Sequence, residues 1–219
     1  MPIEGDVMYL TIAEAQELYG GADSVHDFDH IKRVWALAKH IGEVEGADLR
    51  VLQAAALLHD WGRSAAHEEE RDHAVVAVER AREFLTSRAV PPADRVAVLH
   101  AIAAHRFRSQ PNPETLEAEV LFDADKLDAI GAIGIARAFA YSGAHGQRLW
   151  APRRTIDRAH WDIVGDDPDE HTAVHEFVVK LSRIKDRLYT SEGRRIAEDR
   201  HRAMVVFFDR LDAEVLGRA

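Results

Sequence analysis

The stretch AAALLHDWGR, residues 54–63, sets an imidazole and a carboxylate, His59 and Asp60, at the end of an apolar run. Seven of the eight residues 51–58 are hydrophobic. Polar groups at the mouth of a core need partners, and a buried charge needs one most. Two further positions share this character: His30 opens a helical segment in HDFDHIKRV, and Asp125 stands among Leu121, Phe122 and Leu127. Successive helical residues point about 100° apart, so His59 and Asp60 reach one small object only if it lies close to the end of their helix. A metal ion with bonds of about 2 Å fits that geometry. Two imidazole nitrogens and two carboxylate oxygens suit a divalent cation: Mn, Fe, Co, Ni, Zn or Mg. Four protein ligands leave room for water in an octahedral shell. A capped helix end followed by a solvated carboxylate would look the same in an isolated His-Asp pair, so both readings stand at this point.

These residues must be positioned by helices. Ile31, Val34, Trp35, Leu37, Ala38 and Ile41 follow helical spacing, with a stop near Gly42 or Gly46. Residues 49–58 are Ala-rich with few β-branched side chains, which favours a buried helix over a strand. HAVVAVERAREFL puts Val75, Val78, Ala81, Phe84 and Leu85 on one face, and PPADRVAVLHAIAAH opens on prolines and carries Val96, Leu99 and Ile102. One long helix is expected over about 115–141, with Gly131 and Gly134 marking close approach of a neighbouring element. Residues 143–170 lack periodicity and read as an irregular connection. Two amphipathic helices then close the chain. The expected fold is all-α, a single domain over 1–219, with a metal-site core at about 23–142, the connection at about 143–170 and C-terminal helices at about 171–216.

Composition narrows the partners. The 219 residues are 47% hydrophobic and 30% charged, a globular balance, and carry a net charge of −10. The isoelectric point is about 5.7, which argues against a nucleic-acid polymer as partner, since that affinity comes from Lys and Arg on phosphates. A small phosphorylated ligand needs only a local positive cluster. With no cysteine, disulfides and thiolate metal sites are excluded. The start MPIEGDVMYL is not a signal peptide, and no apolar run approaches the roughly 20 residues that span a bilayer, so a cytoplasmic location away from membranes is expected.

Taken together, HDFDHIKRV, AAALLHDWGR and DADKLDAIGAIGIAR resemble the HD-domain metal-dependent phosphohydrolases. Within that superfamily they resemble the branch of predicted nucleotide phosphohydrolases and pyrophosphohydrolases. The tail KLSRIKDRLYTSEGRRIAEDRHRAMVVFF is similar to that branch's C-terminal pattern, so the resemblance runs over about 23–211. It implies a helical fold, a divalent metal ion held by His30, His59, Asp60 and Asp125, and hydrolysis of a phosphate ester or anhydride. The substrates implied are nucleoside or deoxynucleoside triphosphates, cut to the monophosphate and pyrophosphate. The alternatives are a nucleoside 5'-monophosphate phosphatase and a non-catalytic sensor of metal and nucleotide. A Gly-Tyr-Pro signature is absent, which argues against a cyclic-dinucleotide phosphodiesterase. Several relatives in the superfamily carry Glu three residues after the Asp of the pair; Arg63 stands there, so their general base is not carried over.

Within this framework Asp60 and Asp128 are the catalytic candidates, Asp60 as ligand and hydrogen-bond acceptor for water, Asp128 as an orienting group or as an Arg-paired surface carboxylate. Arg63, His73, His105 and Lys126 are the candidate substrate contacts, each with a plainer alternative as salt bridge, helix cap or solvated side chain. Comparable histidines in dinuclear relatives bind a second ion, which is the further alternative for His73 and His105. His26 reads as a supporting or surface residue, and His160, His171, His175 and His201 as solvent-facing. Arg148, Arg153 and Arg154 could close over a triphosphate, and Trp150 and Trp161 could stack on a base, with a solvated loop and helix packing as the alternatives. Apolar positions in the last helix would serve a core or a homo-oligomer.

Overall fold

Helix follows helix because caps and glycines punctuate an otherwise uninterrupted helical periodicity. The computed structural model describes residues 8–20, 28–68, 70–106, 111–153 and 171–219, which gather into two compact units. The first draws on Met1–Asp125 and Tyr189–Gly193, the second on Lys126–Leu188 and Arg194–Ala219. His26, Arg154, His160 and Trp161 lie outside the described residues.

The first unit contains α1 (Ile12–Tyr19), α2 (Phe28–Glu45), α3 (Leu49–Leu58), α4 (Arg63–Glu68), α5 (His73–Ser87), α6 (Pro92–Ala104) and α7 (Leu116–Leu127), whose last two residues belong to the second unit. Its centre is α3, which lies against both α2 and α6. Asp48 caps α3 by accepting from the N–H groups of Arg50 and Val51, and every residue from Val51 to Leu58 is buried. Helix α2 ends as expected, with Gly46 in the left-handed region at φ +85. Helix α5 lies against α6, and its buried face matches the expected one only in part. Ala81 and Leu85 are buried as expected, together with Ala74, Val76 and Ala77, whereas Val75 is 49% exposed, Val78 and Phe84 are half-buried, and Val96 on α6 is 69% exposed.

The second unit holds α8 (Gly131–Ala144), α9 (Ala173–Val179), a 3-10 helix (Leu181–Arg187) and α10 (Ser191–Val215), whose first three residues belong to the first unit. The helix expected over 115–141 is therefore two helices, broken between Leu127 and Gly131. Gly131 adopts φ +77, and a Cβ there would stand 3.0 Å from Arg200 Cγ. A Cβ on Gly134 would run into the Ala129 carbonyl, so that close approach comes from the chain's own preceding turn. The first of the two expected C-terminal helices is also split, into α9 and the 3-10 segment. Phe177 stacks on Phe208 with ring centroids 4.4 Å apart, a core contact of this unit. His171, His175 and His201 are half-buried rather than solvent-facing, and His201 lies beside the Phe177 ring.

No strand occurs among the described residues, and none of their helices is long and apolar enough to cross a membrane.

Candidate metal centre

Six side chains from five helices converge within the first unit. His30 comes from the first turn of α2 and His59 from the C-cap of α3, with Asp60 in the turn that follows. His73 is the first residue of α5, His105 the C-cap of α6, and Asp125 lies near the end of α7. Asp60 is the hub. Its Oδ2 lies 3.9 Å from Nε2 of both His30 and His59, and its Oδ1 lies 3.6 Å from Nε2 of His73 and 3.8 Å from Nε2 of His105. His30 Nε2 also lies 3.4 Å from Asp125 Oδ1.

The two buried helix-end histidines are oriented in the same way. His59 Nδ1 lies 2.9 Å from the Ala56 carbonyl, and His105 Nδ1 lies 2.6 Å from that of Ile102, each three residues back. A carbonyl oxygen can only accept, so Nδ1 carries a proton and each ring turns its Nε2 toward Asp60. These bonds also satisfy carbonyls that a helix end leaves without partners. His59 Nε2 and Asp60 Oδ1 are buried and make no hydrogen bond. Buried polar atoms left without partners are costly, and a cation held on either side of Asp60 would satisfy them. By position, His30, His59 and Asp60 form one group that could hold a metal ion, and Asp60, His73 and His105 form a second.

Asp60 stays ionised. Burial alone would raise its carboxyl pKa, but His59, Arg63 and His105 outweigh burial and hold it below the ordinary carboxylate range. Arg63 Nη1 donates to Asp60 Oδ2 at 2.7 Å. Burial, followed by the charges of Arg63 and Arg106, lowers the pKa of His73 against the opposing pull of Asp60. Asp72 caps α5 just before His73 and pairs with Arg106, which follows His105. The segments carrying those two histidines are thus tied together.

Other expected site residues have different surroundings. Lys126 is half-buried in the last turn of α7. Asp128 is buried and accepts from Arg137 Nη1 at 3.2 Å, as in the Arg-paired alternative, though in the interior and not at the surface. Arg153 pairs with Asp209 and Asp212, and the Trp150 indole donates to Asp212 at 2.6 Å. Sequence reasoning missed what α1 contributes. The Trp61 indole donates to the Leu18 carbonyl at 2.9 Å, and the Tyr19 hydroxyl is buried near Asp60, its pKa raised by burial and by that charge. For His73 and His105 the sequence left a phosphate contact and a second ion as alternatives; AAALLH and AIAAH share one signal, an alanine-rich helix ending on histidine.

Comparison with known proteins identifies the family. The HD domain model matches residues 27–130, a span that contains all six converging side chains. YpgQ of Bacillus subtilis is 34% identical over 206 residues, covering 92% of this chain and 90% of its own. Its crystal structure in complex with ADP superposes with a TM-score of 0.70 over 93% of this chain and 92% of that one, at 32% identity. An HD-superfamily hydrolase from Bacillus thuringiensis, also 32% identical, gives a TM-score of 0.71 with 93% of each chain covered. Ribonuclease Y of Chloroflexus aurantiacus is 36% identical over 145 residues, but that match covers only 26% of its length. A histidine–aspartate cluster inside the matched span, in a chain aligned nearly end to end with YpgQ and with an HD-superfamily hydrolase, places this protein in the HD domain family.

Proposed function

We propose that this protein is a metal-dependent phosphohydrolase acting on nucleotides, and that it cuts a nucleoside or deoxynucleoside triphosphate to the monophosphate and pyrophosphate. The observation that carries the reading is Asp60, an ionised and buried carboxylate ringed by four imidazoles, with one oxygen making no hydrogen bond. His30, His59, Asp60 and Asp125 would hold the ion. When bound, it would supply positive charge to a phosphoryl oxygen and make water a stronger nucleophile. The ADP complex of YpgQ supports a nucleotide as the ligand class.

The protein's own groups do the positioning that phosphoryl transfer mainly requires. Asp60 accepts a hydrogen bond from the water that attacks the α-phosphorus, and the bond to the pyrophosphate oxygen breaks. Arg63 neutralises charge on the departing pyrophosphate. His73 and His105 serve either as phosphate contacts or, with Asp60, as the second group of ligands; their spacing favours the latter. Asp128, buried and held by Arg137, serves as an orienting group.

The test is a panel of nucleotides against Mn, Co, Ni and Mg with products identified by mass. Monophosphate plus pyrophosphate is the expected outcome. Release of inorganic phosphate from monophosphates would replace this reading with a phosphatase, and tight nucleotide binding without turnover would replace it with a sensor.

A further inference from the structure

Arg63 occupies a specific oxygen. Gly62, in the left-handed region at φ +100, turns the chain back so that the Arg63 N–H donates to the Asp60 carbonyl at 3.0 Å, and the guanidinium donates to Asp60 Oδ2 at 2.7 Å. A Cβ at Gly62 would meet Arg80 Nε and Val76 Cγ1, each at 2.9 Å, so other residues are poorly tolerated in this turn. Oδ2 is the oxygen that faces His30 and His59. The other, Oδ1, faces His73 and His105. The guanidinium therefore lies on the oxygen of the group that would hold the ion. The two ends of the contact differ in exposure: the Asp60 side chain is 6% exposed, the Arg63 side chain 41%.

We propose that Arg63 and the divalent cation compete for Asp60 Oδ2, so that ion uptake turns the guanidinium from the carboxylate to the phosphates of the nucleotide. This rests on the phosphohydrolase reading above. A guanidinium and a divalent ion drawn to one carboxylate oxygen repel each other strongly at such separations, and burial weakens the screening between them. The carboxylate is fixed in the turn after α3, whereas the half-exposed arginine can swing on its stem. Freed, its planar fork matches a phosphate better than a single-point contact does. Arg63 thus weakens ion binding and strengthens nucleotide binding, and by reciprocity each ligand raises affinity for the other. An ordinary brace gives the opposite sign, because removing a residue that merely holds Asp60 in place loosens the ion.

The experiment is calorimetric titration of chelator-stripped protein with manganese chloride, for wild type, Arg63→Met and Arg63→Lys. Each ion-saturated protein is then titrated with ADP. Loss of the positive charge should tighten manganese binding about tenfold, and loss of the fork should weaken ADP binding about tenfold. Arg63→Lys should match wild type for manganese and fall between the two for ADP. Manganese affinity that is unchanged or lower in Arg63→Met overturns the competition. Wild-type protein that takes up no manganese overturns the phosphohydrolase reading itself, and this inference with it.

Discussion

His59 Nε2 and Asp60 Oδ2 stand 3.9 Å apart although the two residues are neighbours in sequence. Within a helix their side chains would point about 100° apart. His59 is the C-cap of α3, still at helical φ −62 and ψ −31, and Asp60 lies in the turn beyond, so both side chains reach one object placed at the helix end. The buried run before them fixes where that turn sits.

Removal of that carboxylate should abolish ion binding. In Asp60→Ala, manganese affinity is expected to fall by more than about 100-fold, beyond the usual effect of losing a group that only supports a ligand. Helicity by circular dichroism should be retained, since the Asp48 cap and the buried face of α3 are untouched. Thermal melts give a second readout. An ion at about 100 times its Kd adds about 2.7 kcal/mol to wild-type stability, which for a chain of this length is on the order of 5–10 °C. Asp60→Ala should show no manganese-dependent rise, and a full rise in the variant would remove Asp60 from the ligand set.

The helices that carry the centre were legible because their apolar spacing and their stops are local properties. Residues 49–58 coincide with α3, and Gly46 ends α2 as its position suggested. The face of α5 was legible only in part: Ala81 and Leu85 are buried as their spacing suggested, whereas Ala74 and Ala77 are buried with little hydrophobicity of their own and Val75 is exposed. Helix α1 did leave a signal, the capping-box pattern TIAE at residues 11–14, weakened by the short apolar run behind it. Within the centre, residue types pointed to His30, His59, Asp60 and Asp125. That His73 and His105 face the same carboxylate depends on how α5 and α6 cross, which one sequence does not encode locally.

The α1 cap gives a pH dependence of known sign. The Thr11 N–H, with Arg88 and the Thr11 hydroxyl, lowers the Glu14 carboxyl from 4.5 to about 2. A depressed carboxyl contributes stability that is present above its unfolded value and is lost as pH falls through the folded one. Wild type should therefore exceed Glu14→Gln in stability above about pH 5, and the difference should vanish near pH 2. Urea unfolding of both proteins across that range checks it; a gap independent of pH would show that the carboxylate charge is not what stabilises α1.

The break between α7 and α8 predicts opposite effects from one substitution at two glycines. Gly131→Ala places a Cβ at φ +77 against the stem of Arg200, 3.0–3.2 Å away, and should destabilise by about 1–3 kcal/mol. Gly143, near the end of α8, has nothing within 4 Å of the same position. Gly143→Ala should stabilise by about 0.5–1 kcal/mol through helix propensity alone. Urea midpoints separate the two, and a neutral Gly131→Ala would mean that the break is not held by the left-handed residue.

The TSEG turn, residues 190–193, is fastened to α7 through a buried carboxylate. Asp123 accepts from the N–H groups of Tyr189 and Thr190 at 2.9 and 2.8 Å, and from the Thr190 hydroxyl at 2.7 Å. That hydroxyl in turn accepts from the Gly193 N–H at 3.0 Å. Thr190→Val keeps the shape and removes both bonds, leaving a buried carboxylate one donor short and a buried N–H without its acceptor. A loss of roughly 2–4 kcal/mol is expected from two such deficits. Thr190→Ser restores the hydroxyl and should recover most of it. Equal losses in the two variants would assign the role to the methyl group and its packing instead of to the bonds with Asp123.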